Sequence, residues 1–109
     1  MLSKVLDILS KAVVKDIIVY NMNEFSPFYD YFVVGSVNSN RQGSAAVNYL
    51  KKDIIELGGH VKSFSSSNES GWFLVDLGEV VVHIFVGDER KVYNLDGMYS
   101  HLPKEIIKD

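Results

Sequence analysis

Gly71-Trp72-Phe73-Leu74-Val75-Asp76-Leu77-Gly78-Glu79-Val80-Val81-Val82-His83-Ile84-Phe85 reads as two strands joined by a tight turn. Strand-forming residues run on both sides of Leu77-Gly78, and the glycine supplies the positive φ that such turns often demand. Successive side chains of a strand point to opposite faces. Trp72, Leu74 and Asp76 therefore share one face, with Phe73, Val75 and Leu77 on the other. After the turn, Val80, Val82, Ile84 and Val86 lie together, opposed by Glu79, Val81, His83 and Phe85. A pleated surface carrying an indole, two carboxylates and an imidazole among apolar groups is a candidate docking surface.

The same period-counting extends outward from the hairpin. Leu2, Val5, Leu6, Leu9 and Val13 recur at helical spacing and predict a first helix over about residues 2–14. Asp16–Tyr20 is a short β-rich run, Asn21–Tyr29 a loop in which Pro27 holds Ser26 extended, and Tyr31–Gly35 an apolar strand buried on both faces. Ser39 and Gln42 stand at capping-box spacing, Val47, Leu50, Ile54 and Leu57 follow as one stripe, and Gly58-Gly59 ends a second helix. His60–Phe64 is a third strand and Ser65–Ser70 a polar, mobile loop. Beyond the hairpin come a turn at Gly87-Asp88-Glu89, an extended or helical stretch over 90–102, and, after Pro103, a frayed tail or a last short turn. This order predicts a single small domain over residues 1–109: a mixed α/β (α+β) fold with a mixed sheet of about five strands, helices packed on it and a parallel β-helix-β crossover in its middle.

Composition narrows the function classes. At 109 residues, 47% hydrophobic and 23% charged, the chain is an ordinary globule with one core. With no cysteine, disulfides and thiolate–zinc sites are excluded. No apolar run approaches the roughly 20 residues that span a bilayer, and the N-terminal segment reads as an amphipathic helix, so the expected location is the cytoplasm. The formal net charge is −3, and Lys51-Lys52 and Arg90-Lys91 are short pairs rather than a phosphate-binding stripe. A basic protein is a better partner for such a chain than nucleic acid.

Enzyme chemistry finds little support. His60, His83 and His101 are far apart in sequence, with no metal-ligand spacing among them. Asp76, Glu79 and His83 could be drawn as an acid–base cluster, but Glu79 and His83 on one strand sit roughly 13 Å apart. Gly35-Ser36, after a strand and before a helix, is how a nucleotidyltransferase phosphate loop begins. That chemistry also needs paired carboxylates on the following strand to hold magnesium, and His60-Val61-Lys62-Ser63-Phe64 carries none. His83 reads as a structural hydrogen-bonding group, and Gln42 as a helix cap.

Ser26-Pro27-Phe28-Tyr29-Asp30-Tyr31-Phe32-Val33-Val34, Ser39-Asn40-Arg41-Gln42, the hairpin through Phe85, and Glu89-Arg90-Lys91-Val92-Tyr93-Asn94-Leu95 together resemble the ribosomal silencing factor (Iojap-like) family over about residues 10–100. The succession Asp-Tyr-Phe, Ser-x-Arg-Gln and Trp-x-x-x-Asp-x-Gly is more specific than any one part. The resemblance implies a nucleotidyltransferase-like topology without the catalytic acids, and no enzyme activity, metal or cofactor. It implies binding to the large ribosomal subunit through a basic ribosomal protein of the subunit-joining face (the fourteenth of the large subunit), which blocks the small subunit and represses translation. It also implies a homodimer when free. Residues expected to meet the partner are Trp72, Asp76, Glu79, Glu89, Arg90 and Tyr99; Tyr29, Asp30, Tyr31 and Arg41 also match family motifs. Leu95-Asp96-Gly97-Met98-Tyr99 departs from the family's Leu-Glu-x-Leu-Trp, with Tyr99 supplying the aromatic anchor. Phe64–Ser67 stands where the family favours Glu-Gly. The competing readings are a nucleotide-binding or nucleotidyltransferase-like enzyme and a homodimeric scaffold for another basic protein.

Overall fold

The computed structural model describes residues 1–65 and 70–108, so the part of the predicted polar loop from 66 to 69 lies outside the described residues. In chain order the elements are α1 (Leu2–Lys11), β1 (Lys15–Asn21), β2 (Tyr31–Val37), α2 (Asn40–Glu56), β3 (Ser63–Phe64), β4 (Trp72–Asp76), β5 (Val80–Val86), α3 (Glu89–Tyr93), α4 (Leu95–Met98) and β6 (Lys104–Ile106). Among the described residues the strands form one mixed sheet, ordered β3-β4-β5-β2-β1-β6. Every neighbouring pair is antiparallel except β2 and β5, which run parallel in a continuous register from Tyr31 opposite Val80 to Val37 opposite Val86.

The sequence reasons for these elements are visible in their ends. α1 buries Val5, Ile8 and Leu9, but stops at Lys11 rather than at residue 14. Val13 takes a positive φ of 61° and is 58% exposed, so the apolar spacing that seemed to extend the helix belongs to a turn. α2 starts at the predicted box: Ser39 Oγ accepts the Gln42 amide at 3.2 Å and Gln42 Oε1 accepts the Asn38 amide at 2.7 Å. It ends where Gly58, at φ +83°, turns the chain into a bond from the Gly59 amide to the Ile54 carbonyl. Gly43 lets α2 lie on the sheet, since a Cβ there would fall 2.2 Å from the Phe73 ring.

The sheet has two covered faces. On one, Val5 and Leu9 of α1 and Val47, Leu50 and Ile54 of α2 pack on Val33, Val75, Val82 and Ile84. On the other, Leu95, Tyr99 and Leu102 from the chain after β5 pack on Tyr20, Val34 and Phe85. The expected strand over 60–64 shrinks to Ser63–Phe64, whose chain is held by bonds across to β4. It runs in the same direction as β2, as a crossover through α2 requires, but β5 and β4 lie between them. The stretch 90–102 resolves into α3, α4 and a turn. The expected frayed tail is instead β6, an edge strand on β1 with Ile18 opposite Ile106, which brings the sheet to six strands.

Candidate docking face

The register of the hairpin decides what shares a surface. Trp72 lies opposite Phe85, Leu74 opposite His83 and Asp76 opposite Val81, so these six side chains occupy the face away from α1 and α2. β2 adds Phe32 to it and β1 adds Tyr20. Tyr93, Leu95 and Tyr99 cover the part nearest β1 and the ends of β2 and β5, leaving Trp72, Leu74, Asp76 and Phe32 half-buried.

Trp72 is caged by rings at centroid distances of 4.7 Å (Tyr93), 5.4 Å (Phe85) and 5.8 Å (His83). Its indole N–H donates to Nδ1 of His83 at 3.2 Å, the structural hydrogen bond expected of that histidine. His83 is only 4% exposed, the Phe32 ring sits 4.8 Å away, and its Nε2 has no hydrogen-bond partner among the described residues. Burial pulls the imidazole pKa down to about 4, against the opposing pull of the Asp76 carboxylate. The imidazole is therefore neutral at physiological pH, with its proton on Nε2.

At the turn end of the hairpin, Asp76 Oδ1 accepts the Gly78 amide at 2.8 Å, which fixes the positive-φ turn. Glu79 is exposed, and its carbonyl accepts the amides of Asp30 and Tyr31 at 2.8 and 3.0 Å. The main-chain bonds thus bring Asp30, Asp76 and Glu79 to one end of the sheet. Phe28, 80% exposed, and Tyr29, stacked edge-on to Phe32 at 5.4 Å, belong to the loop entering β2 at that end. Phe28 was not singled out by the sequence reading; its position directly after Pro27 was the available signal.

The remaining expected contact residues divide by environment. Tyr99 is buried, edge-on to Phe25 at 5.4 Å and Phe32 at 5.5 Å, and burial raises its hydroxyl pKa. Glu89, half-buried in the first turn of α3, lays its methylenes against Gly71, where a Cβ would meet Glu89 Cγ at 2.6 Å. Arg90 is bound internally. Its Nε donates to Asp96 Oδ2 at 2.8 Å and one terminal nitrogen to Oδ1 at 3.2 Å, while the other reaches the Asp16 carbonyl at 2.7 Å and Ser36 Oγ at 2.9 Å. The Tyr20 hydroxyl donates to Asp96 Oδ1 at 2.6 Å. Burial works to raise the Asp96 pKa, but the bonds from Arg90 and Tyr20 outweigh it and hold the carboxyl below its ordinary value. Burial and the Asp96 bond raise Tyr20. The structure thus gathers Trp72, Asp76 and Glu79 on or beside the hairpin, and sets Glu89, Arg90 and Tyr99 in the layer that braces it.

Two observations bear on the nucleotide reading. A Cβ at Gly35 would lie 2.5 Å from Val14 Cγ1, so that glycine is needed for packing against the α1–β1 turn, and Ser36 Oγ is engaged by Arg90. Among the described residues, no three His, Asp or Glu side chains are grouped to hold a metal ion, and no helix is long and apolar enough to cross a membrane.

Comparison with known proteins gives a consistent answer. A relative from Bacillus subtilis, ribosomal silencing factor RsfS, is 39% identical over 89 residues, covering 82% of this chain and 75% of its own. A mouse protein named mitochondrial assembly of ribosomal large subunit protein 1 is 29% identical over 93 residues, covering 79% of this chain and 39% of that one. A crystal structure from Bacillus halodurans superimposes with a TM-score of 0.83 at 31% identity, over 97% of this chain and 96% of the other. The family model described as "Ribosomal silencing factor during starvation" matches residues 1–109, and the chain belongs to that ribosomal silencing factor (RsfS) family.

Proposed function

We propose that this protein docks on the large ribosomal subunit and, by occupying the joining surface, prevents the small subunit from associating. The observation that carries the reading is the hairpin face. Half-buried Trp72 and Phe32 share one face of the sheet, Phe32 beside the turn end that carries Asp30, Asp76 and Glu79 and Trp72 at the far end of β4, in a chain of net charge −3. Desolvated aromatic anchors beside carboxylates suit a basic protein surface. The partner is a basic protein of the subunit-joining face, the fourteenth of the large subunit. Trp72, Asp76 and Glu79 touch it, with Glu89, Arg90 and Tyr99 extending the surface or holding it in shape. The name of the mouse relative, which refers to the large subunit, supports the choice of subunit.

The mechanism has no chemical step. Subunit joining sums many weak contacts, and a folded body held between the subunits clashes before those contacts form. The protein acts in the cytoplasm as one domain over residues 1–109, without cofactor, membrane or sequence-specific nucleic acid, and is a homodimer when free. The test is sucrose-gradient sedimentation of separated subunits with purified protein, then return to associating magnesium. Co-migration with the large subunit and fewer rejoined ribosomes is the expected result, and a folded Trp72→Ala variant should lose both. Protein remaining at the top of the gradient, with joining unaffected, overturns the proposal.

A further inference from the structure

His83 carries an unusual hydrogen-bond balance for a core side chain. Its Nδ1 accepts the Trp72 indole N–H at 3.2 Å, and its Nε2 is sealed from solvent without an acceptor among the described residues. A buried N–H with no acceptor is a net cost, which a leucine or phenylalanine at this position would avoid. What the imidazole offers and those residues lack is the acceptor at Nδ1. The bond is also diagonal across the hairpin, because Trp72 is paired with Phe85 and His83 with Leu74. It therefore adds an orientation to the indole that strand pairing does not specify. Phe85 and Tyr93 confine the indole by ring contact, while the bond to His83 selects which edge turns inward.

We propose that His83 is a positioning residue for docking: its Nδ1 fixes the Trp72 indole in the orientation that meets the ribosomal partner. The inference rests on the docking reading above, but the hydrogen bond can be tested without it. Because burial keeps the imidazole neutral down to about pH 4, Nδ1 remains an acceptor throughout the physiological range.

Trp72 is the sole tryptophan, so its emission and its indole N–H resonance report on this contact alone. In the unmodified protein, the imidazole nitrogen shifts should show the tautomer protonated at Nε2; the Nδ1-protonated tautomer overturns the proposal without any variant. Asparagine places its Oδ1 where histidine has Nδ1, so His83→Asn should keep the indole resonance and bind large subunits within about twofold of the parent. His83→Leu, melting cooperatively, should shift the indole resonance, raise acrylamide quenching and weaken large-subunit binding by about tenfold, the scale of one hydrogen bond. A folded His83→Leu that binds like the parent overturns the positioning role. If the unmodified protein does not bind large subunits, the docking reading fails, and the tautomer and indole signals still decide whether His83 orients Trp72.

Discussion

Acid should destabilise this protein well above the range in which carboxylates titrate, and His83 is the reason. In the unfolded chain the imidazole takes its proton near pH 6.5; in the fold burial lowers that value to about 4. Between those values the unfolded state binds the proton and the native state does not, so stability falls as pH falls. The separation of about 2.5 units (6.5 − 4), at about 1.4 kcal/mol per unit, corresponds to about 3 kcal/mol once the pH is below both values. At about pH 4.5 roughly 2 kcal/mol of this is already lost, a sizeable share of the roughly 5–15 kcal/mol typical of a domain. Asp96 acts in a separate window. Its folded pKa is depressed below the ordinary 3.8, so its contribution is present above that value and is lost only at lower pH. Urea titrations followed by far-UV circular dichroism at about pH 7 and about pH 4.5, on the parent and on His83→Asn, give the measurement. The parent should lose about 2 kcal/mol more than the variant between the two conditions. Equal losses would refute the assignment of acid sensitivity to this buried imidazole.

Four substitutions at three positions probe the frame that holds the hairpin and its two faces. Arg90→Ala leaves the Asp96 carboxylate without its guanidinium and the Asp16 carbonyl and Ser36 without their donor; with the pair partly exposed, the urea midpoint should report a loss of about 2–3 kcal/mol. Gly43→Ala gains helix propensity but drives a Cβ into the Phe73 ring, and a thermal melt should show a net loss of about 1–2 kcal/mol. Asp76→Ala removes the acceptor of the Gly78 amide and should lower stability by about 1 kcal/mol. Asp76→Asn keeps an acceptor, so it should melt like the parent yet bind large subunits with a weaker salt dependence, read by co-sedimentation at two ionic strengths.

The readability of the sequence followed the range of the interactions. Strict alternation from Trp72 to Phe85 put the correct residues on each face, because the strand period is local and the turn at Gly78 fixes the register. The box at Ser39 and Gln42 was legible for the same reason. β6 was not: three residues after Pro103 carry no periodicity, and their pairing with β1 is decided by chain more than eighty positions away. Within the site, Trp72, Asp76 and Glu79 could be placed at the hairpin, but the fourfold engagement of Arg90 could not. Its partners Asp16 and Ser36 are distant in sequence, and a lone Arg-Lys pair looks like solvated surface until they are brought to it. The Nε2 of His83, without a partner among the described residues, was equally invisible, since its state depends on what seals the ring.

The parallel pairing of β2 with β5 also sets a condition on how the chain acquires its structure. Each paired position is separated from its partner by 49 residues, from Tyr31 and Val80 to Val37 and Val86. The two strands flank the middle of the sheet, and β4 and β3 join the sheet through β5. A nascent chain that has emerged only through α2 can form the β1–β2 ladder and the α1–α2 contacts, with one edge of β2 still unpaired. Completion of the native sheet therefore waits for residues 80–86 to be available and for a long loop to close, a slower search than the local β1–β2 and β4–β5 pairings.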